Sequence, residues 1–92
     1  ISLKLVIPPV LEVLKPAAQL VALVKPQFEA GREHVKKGGL MMDLQIAQDI
    51  LHDMEEFLMA WGCGVSGSMP SPVKGAKGNQ EYLVHAVRRG GR

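Results

Sequence analysis

The segment Leu20-Val-Ala-Leu-Val-Lys-Pro26 decides the fold class. Its apolar run from Leu20 to Val24 is unbroken and rich in β-branched residues. That pattern is typical of a central, mostly parallel strand covered by helices on both faces. Lys25 then places a charge where the strand leaves the core. The segment therefore predicts an α/β domain with a candidate site at the end of this strand.

A helix is predicted on each side of this strand. The Leu- and Val-rich segment Leu3–Leu14 has near-helical spacing, but Pro8 and Pro9 predict that its helix starts or kinks there. The clearest helix runs from about Leu44 to Trp61, with Asp43 as its N-cap. Its apolar face consists of Ala47, Ile50, Leu51, Met54, Phe57, Leu58 and Trp61.

Two further strands are predicted in the last third of the chain. Residues Cys63–Met69 form the second strand, weakened by glycines, and Glu81–Val87 form the third. A turn-rich loop, Pro70–Asn79, connects them. A second long polar loop, residues 26–42, follows the first strand, and loops of this length in compact domains are often functional.

Length and composition restrict the class of protein. A chain of 92 residues is enough for one small domain, and its 47% hydrophobic and 22% charged residues exclude a disordered tail. The net charge of +2 neither demands nor forbids a nucleic-acid partner. Cys63 is the single cysteine, so we expect no internal disulfide and a cytoplasmic location. No apolar stretch reaches the ~20 residues that cross a bilayer. Because the sequence opens at Ile1 in mid-pattern, we interpret it as a fragment.

Lys25 and Glu81 are the catalytic candidates. If the third strand runs antiparallel beside the first, its amino end lies next to the carboxyl end of the first strand. The two residues, far apart in sequence, then meet at one edge of the sheet. Partial burial there favours a neutral lysine amine that can accept a proton, while a carboxylate can help to position a hydroxyl. The alternatives are a lysine that reaches into solvent and an ordinary strand-edge glutamate.

Basic residues in the two loops predict a nucleic-acid contact. The loops that overhang this edge carry Lys36, Lys37, Lys74 and Lys77. Each can bind a phosphate, the type of contact that positions nucleic acid without reading its sequence. A solvated loop lysine is the commoner case for each one alone. The histidines have no metal-site spacing and one cysteine cannot build a zinc site, so no metal is predicted.

Several segments together resemble a known family. These segments are Ile1-Ser-Leu-Lys-Leu, Val24-Lys-Pro-Gln-Phe-Glu-Ala-Gly-Arg32, Lys37-Gly-Gly39, Pro70-Ser-Pro-Val-Lys-Gly75 and Gly78-Asn-Gln-Glu-Tyr-Leu-Val-His85. Through them the chain is similar to the FtsJ-like (RrmJ-like) 2′-O-methyltransferases, and especially to the C-terminal part of the TlyA-type proteins, which carry the names hemolysin and ribosomal RNA ribose methyltransferase.

The resemblance implies a fold, a reaction and two site residues. The fold is the C-terminal part of a Rossmann-like methyltransferase domain, with a mixed sheet and an antiparallel last strand. The reaction is transfer of a methyl group from S-adenosylmethionine to ribose 2′-hydroxyls of ribosomal RNA by a Lys-Asp-Lys-Glu tetrad. Lys25 matches the second lysine of that tetrad and Glu81 matches its glutamate. The other two members, the glycine-rich cofactor loop and an S4-type RNA-binding domain would precede Ile1. The 92 residues alone are therefore expected to be inactive, and their cofactor-binding residues are unknown.

Two other functions remain open from the sequence. A membrane-active cytolysin would fit the hemolysin name, but the long amphipathic helix carries Asp and Glu where membrane-surface helices favour Lys and Arg. A non-catalytic RNA-binding protein could keep the same fold. The fragment could also self-associate through an exposed sheet edge.

Overall fold

Helices and one three-stranded sheet make up the described part of the protein, as expected of an α/β fold. A computed structural model describes residues 2–30, 44–75 and 78–89. In these ranges the elements are, in chain order, α1 (Leu3–Val13), β1 (Gln19–Val24), α2 (Pro26–Glu29), α3 (Leu44–Ala60), β2 (Cys63–Pro70) and β3 (Tyr82–Arg88). The three strands and the long helix agree with the predicted segments to within one or two residues, which is the usual uncertainty of element ends.

The last strand lies in the middle of the sheet. The strand order is β1-β3-β2, and β3 runs antiparallel to both neighbours. The predicted antiparallel pairing of the last strand with the first is therefore confirmed. The register pairs Val24 with Tyr82 at one end of β1 and Gln19 with Val87 at the other. A register shift between Val65 and Gly67 interrupts the β2–β3 ladder, so Ser66 is an extra residue in that strand.

One face of the sheet packs against α1 and α3. Alternate residues of β3 are buried there, as the two-residue period of a strand requires. The hydrophobic core consists of Ile7, Leu11, Val24, Ala47, Leu51, Met54, Leu58, Cys63, Tyr82, Val84 and Ala86. Helix α3 contributes four of these residues at three- and four-residue spacing, which confirms its predicted apolar face in the main. Strand β3 is thus held by β1 and β2 on its two edges and by the core with α1 and α3 on one face.

The prediction that the first strand is central and covered on both faces is wrong for the described residues. In these residues β1 pairs with β3 alone. Its burial alternates, and Val21, which faces away from the helices, is 62% exposed. An unbroken apolar run shows that both sides of a strand are hydrophobic, but it does not show which segments cover them.

The prolines do not set the start of the first helix. Helix α1 begins at Leu3, where the Ser2 hydroxyl accepts a hydrogen bond from the amide of Lys4, and it continues through Pro8 and Pro9. Prolines leave the carbonyls four residues earlier without their helical donor. Those carbonyls belong to Lys4 and Leu5, two exposed residues, so solvent can bond them. The helix ends before Lys15-Pro16, as predicted.

The end of helix α3 is fixed by glycine. Gly62 has a φ of 90°, a left-handed conformation that glycine adopts without steric cost. Trp61, predicted on the apolar face, instead lies beyond the helix and is 47% exposed, because the helical period ends one residue before it. Asp43, the predicted N-cap, lies outside the described residues.

Candidate active site

The β1–β3 register brings the two catalytic candidates to one edge of the sheet. Val24 and Tyr82 form the last pair of the ladder, and Lys25 and Glu81 are the next residues outward on the two strands. The pairing of β1 with β3 thereby brings together two residues that are far apart in the sequence. We call this edge, formed by Lys25, Glu81 and the residues that contact them, the rim. The predicted juxtaposition is present, whereas the catalytic roles of both residues stay a prediction.

Lys25 is held by the turn that follows its strand. Pro26 begins α2, so Lys25 is the helix cap, and its carbonyl accepts a hydrogen bond from the amide of Phe28 at 2.8 Å. The Lys25 Nζ lies 5.3 Å from the centre of the Phe28 ring. A cation over an aromatic face is attracted by the ring's negative surface. The ring therefore helps to position the half-buried lysine.

An open cavity adjoins this lysine. It has a volume of about 210 Å³ and is lined by Leu3, Leu23, Lys25, Phe28 and Glu29. Glu29 closes one side of it, because its carboxylate accepts hydrogen bonds from the Ser2 hydroxyl at 2.6 Å and from the Leu3 amide at 2.9 Å. A carboxylate at a helix N-terminus is stabilised by the helix dipole. This contact fixes the start of α1 beside Lys25.

Glu81 is buried and its carboxylate is closely enclosed. The residue is 5% exposed, and its Oε2 accepts a hydrogen bond from the Gln27 Nε2 at 2.9 Å. Its backbone carbonyl accepts from the Ser71 amide at 2.7 Å and from the Gln80 side chain at 2.8 Å. The other side of the carboxylate lies against Gly75, where a Cβ atom would stand only 1.9 Å from Oε2. Glu81 therefore has a fixed direction at the rim.

The ammonium and the carboxylate occupy separate environments. Within the described ranges no ion pair joins Lys25 to Glu81. Glu81 is bonded by Gln27, whereas Lys25 lies over Phe28. The site thus offers an amine and an oriented carboxylate as two distinct groups, which is the arrangement needed to hold a hydroxyl and to take its proton.

Only one of the four predicted RNA-binding lysines can be placed. Lys74 is exposed in the loop between β2 and β3, next to the glycine that encloses Glu81. The loop is closed by a hydrogen bond from the Gly75 amide to the Asn79 carbonyl at 2.8 Å. Lys36, Lys37 and Lys77 lie outside the described residues. Lys74 therefore lies next to the rim, and the RNA-binding role of all four lysines stays a prediction.

Three residues of the rim were missed from the sequence. Gln27 donates to the candidate glutamate, Gly75 makes room for its carboxylate, and Asn79 is 1% exposed and closes the loop that carries Gly75. The only signal available was their position inside three of the segments that carry the family resemblance. Polar residues with no charge and a glycine in a turn carry no chemical signature of their own.

Among the described residues, the histidines and the cysteine lie away from the rim. His52 contacts Glu56 on the exposed side of α3, at 3.2 Å, and His85 lies between the Ser66 hydroxyl and Gln19. The described residues contain no cluster of three or more His, Cys, Asp or Glu side chains able to hold a metal ion. Burial raises the pKa of the Cys63 thiol, an effect that the nearby positive charge of Arg88 partly offsets.

A larger cavity lies at the opposite end of the sheet. Its volume is about 540 Å³, and its lining includes Pro8, Trp61 and Arg88. Arg88 is the last residue of β3, whereas Glu81 precedes its first, so the cavity is about 20 Å from the rim at ~3.3 Å per residue. Size alone would favour this cavity, but it has neither candidate catalytic residue. We therefore place the site at the rim.

An α/β unit with an amine and a buried, oriented carboxylate at one sheet edge defines a candidate enzyme site. The comparisons with known proteins identify the family. The model of the FtsJ-like methyltransferase family matches residues 1–88. This chain belongs to the FtsJ-like methyltransferase family, and the resemblance found in its sequence is confirmed.

Individual relatives agree with this assignment. A Bacillus subtilis protein named "Putative rRNA methyltransferase YqxC" is 45% identical over 85 residues, which make up 92% of this chain and 30% of that protein. The Mycobacterium tuberculosis "16S/23S rRNA (cytidine-2'-O)-methyltransferase TlyA" is 34% identical over 84 residues, which make up 91% of this chain and 31% of that protein. The chain thus spans about a third of the length of these relatives.

Solved structures share the fold under another name. A structure titled "The crystal structure of a putative hemolysin from Lactococcus lactis" has a TM-score of 0.92 and 41% identity, covering 98% of this chain and 43% of that chain. A second, from Streptococcus thermophilus, has a TM-score of 0.91 and 39% identity, covering 98% and 32%. Methyltransferase and hemolysin names therefore overlap within one family. Among the helices of the described residues, none combines the length and hydrophobicity that crossing a bilayer requires.

Proposed function

We propose that these 92 residues are the C-terminal part of a methyltransferase domain whose whole protein methylates ribose 2′-hydroxyls of ribosomal RNA. The observation that carries the proposal is the β1–β3 register, which puts Lys25 beside Glu81. These are the two residues that match the family's catalytic tetrad in the resemblance described above. The name of the Mycobacterium tuberculosis relative states this reaction for that protein. An rRNA substrate would also place the protein in the cytoplasm.

The start of α1 supports the same proposal. Leu3 lines the cavity beside Lys25, and the Glu29 carboxylate binds the first residues of the helix. Residues that precede Ile1 in a longer protein would therefore approach the rim. The resemblance puts the tetrad's aspartate a few residues before this point. A third catalytic group could thus reach Lys25 without a long connection.

The residues of the rim divide the work on the hydroxyl. A ribose 2′-hydroxyl is a weak nucleophile until its proton is held or removed, and Lys25, once its own ammonium has lost a proton, is the group placed to accept that proton. Glu81 is fixed by Gln27 and Gly75, so it orients the lysine or the hydroxyl. Alignment of this kind supplies a large part of the acceleration in two-substrate reactions. Lys74 is available to bind an RNA phosphate at the same edge.

S-adenosylmethionine is the cofactor proposed for the whole protein, since FtsJ-like methyltransferases generally use it. When bound, it supplies an electrophilic methyl group. The described residues at the rim do not fit it by themselves: the cavity beside Lys25 is about 210 Å³, below the roughly 300–1,000 Å³ of sites for ligands of that size. We therefore propose that most of the cofactor site belongs to a preceding segment, which the S4-type domain would precede in turn.

The test uses the full-length protein and a labelled cofactor. Purified protein is incubated with ribosomal RNA and S-adenosylmethionine carrying a radioactive methyl group, and the RNA is digested to nucleosides. The proposal predicts label in a 2′-O-methylated nucleoside. Label on a base, or RNA binding with no label, would overturn it. Leakage from anionic liposomes at low protein concentration without methyl transfer would instead favour the cytolysin function, although the exposed side of α3 carries Asp49, Asp53 and Glu56.

A further inference from the structure

We infer that Gln27 is a positioning residue that acts on the reaction through Glu81. This inference rests on the proposed function and adds a residue to it. Gln27 is the second residue of the short helix α2, so it follows the candidate lysine by two positions. Its Nε2 donates to the Glu81 Oε2 at 2.9 Å. The single turn of α2 therefore carries both Lys25, at its N-cap, and Gln27, which donates a hydrogen bond to Glu81.

The carboxylate leaves little freedom in how the Gln27 amide is oriented. An ionised carboxylate only accepts hydrogen bonds, so the amide must present its NH2 group and not its oxygen. Hydrogen bonds to an ionised acceptor are also stronger than neutral ones. The donor is thus fixed toward Glu81 as long as Glu81 is charged. Loss of either partner would release the other.

The Gln27 amide oxygen, Oε1, indicates that the function of this side chain depends on its Nε2 donor. The Gln27 Oε1 is buried and has no hydrogen-bond partner among the described residues. A buried acceptor without a donor is costly, and such groups in native proteins call for an explanation. An apolar side chain of similar length would avoid that cost. Among the described residues, the Gln27 side chain is therefore bonded through its Nε2, which binds Glu81.

Gly75 completes the device from the other side. A Cβ at this position would lie 1.9 Å from the Glu81 Oε2 and 2.3 Å from its carboxyl carbon. The carboxylate is therefore confined between the Gly75 backbone and the Gln27 amide. With Oε2 held in this way, the plane of the carboxylate and the direction of its second oxygen are set. A group so confined can orient a substrate hydroxyl or the neighbouring lysine with little loss of freedom on binding.

The experiment is a double-mutant cycle on the full-length methyltransferase. Gln27→Met keeps the length of the side chain and removes the donor, and Glu81→Gln removes the charge that the donor binds. We expect Gln27→Met to lower kcat by about 10- to 100-fold, in line with the cost of small misplacements in active sites. The KM for RNA should stay within about threefold, because Gln27 does not touch RNA in this account. The double variant should be no slower than Glu81→Gln alone. If Gln27 acts only by positioning Glu81, its loss has no further effect once the Glu81 carboxylate is gone.

A matched control is available on α3. Gln45 donates to the Asp49 carboxylate at 3.0 Å, so Gln45→Met removes a similar hydrogen bond on an exposed helix side. Its kcat should stay within about twofold of the wild type. This control separates the loss of one glutamine–carboxylate bond from the loss of this particular bond.

Each result decides between the role and its alternatives. A Gln27→Met enzyme with wild-type kcat would overturn the inference. The inference would also be overturned if the fold losses of kcat in the two single variants multiply in the double variant. Such independent effects are expected when Gln27→Met causes a general folding defect. A wild-type protein that transfers no methyl group to RNA would overturn the proposed function itself, which keeps the two failures apart.

Discussion

Replacement of Gly75 by alanine tests the geometry of the rim with one methyl group. The φ of Gly75 is not in the left-handed region, so alanine can adopt the backbone without strain there. The added Cβ would lie 1.9 Å from the Glu81 Oε2, whereas ordinary contact begins at 3.4 Å. The carboxylate or the loop must therefore withdraw by about 1.5 Å. The atoms that the new methyl group would meet all belong to the Glu81 carboxyl group, so this side chain must move, and its movement breaks or distorts the hydrogen bond from Gln27.

The size of the effect follows from that displacement. A misplacement of ~1 Å at an active site can cost about 100-fold in rate. We therefore expect Gly75→Ala to lower kcat for methyl transfer by about 100-fold in the full-length protein. Overpacking of this kind typically costs ~1–3 kcal/mol of stability. Each 1 kcal/mol lowers the melting temperature of a 60–100-residue domain by about 4–8 °C. Methyl-transfer kinetics and thermal unfolding followed by circular dichroism measure the two effects.

Gly67 provides the control. A Cβ at Gly67 meets nothing within 4 Å, and its φ also lies outside the left-handed region. Gly67→Ala should therefore keep wild-type kcat and a melting temperature within a few degrees. A Gly75→Ala protein that is as fast and as stable as Gly67→Ala would refute the enclosed position of Glu81. A loss of stability with unchanged kcat would refute its part in the reaction.

The remaining predictions address the core, the thiol and the cofactor. Leu58→Ala empties a fully buried position and should lower the free energy of unfolding in urea by ~2–5 kcal/mol. Met59→Ala, at an exposed neighbour, should change it by less than ~0.5 kcal/mol. Equal effects of the two substitutions would contradict the packing of α3. Burial raises the pKa of the Cys63 thiol, so less thiolate is present at any given pH. Iodoacetamide at pH 8 should therefore alkylate the folded chain at least tenfold more slowly than the urea-unfolded chain. Equal rates of alkylation would argue against burial of Cys63. The 92-residue chain should show weak or no heat of binding with S-adenosylmethionine in calorimetry, because its rim cavity is too small, and micromolar affinity would contradict this.

The sequence predicted the elements better than their surroundings. The periodicity of α3 and the apolar run of β1 located both elements, and one inference about strand direction placed Lys25 beside Glu81. Such signals are local or depend on simple rules of strand pairing. Coverage of β1 is different, because it depends on which other segments reach each face. An apolar run carries no record of that, and Val21 is accordingly exposed.

The details of the site depended on contacts between segments that are distant in the chain. Gln27 and Glu81 are joined by a hydrogen bond across 54 positions, and Gly75 is required only because the Glu81 carboxylate lies against it. Neither residue type signals such a role by itself. The alternative that α1 starts at its two prolines was wrong for a related reason: the penalty of a proline inside a helix depends on whether solvent can bond the freed carbonyls. Three-dimensional context decided all of these cases.

Methyl transfer and RNA binding measured together on Lys25→Ala test the central claim most directly. Lys25 lies at the rim but has no part in the buried core, so the full-length variant should fold and bind RNA within several-fold of the wild type. Its transfer of labelled methyl groups to ribose should fall to background, because the group that accepts the hydroxyl proton is gone. Equal losses of binding and turnover, or turnover at the wild-type rate, would contradict a catalytic lysine at this edge of the sheet.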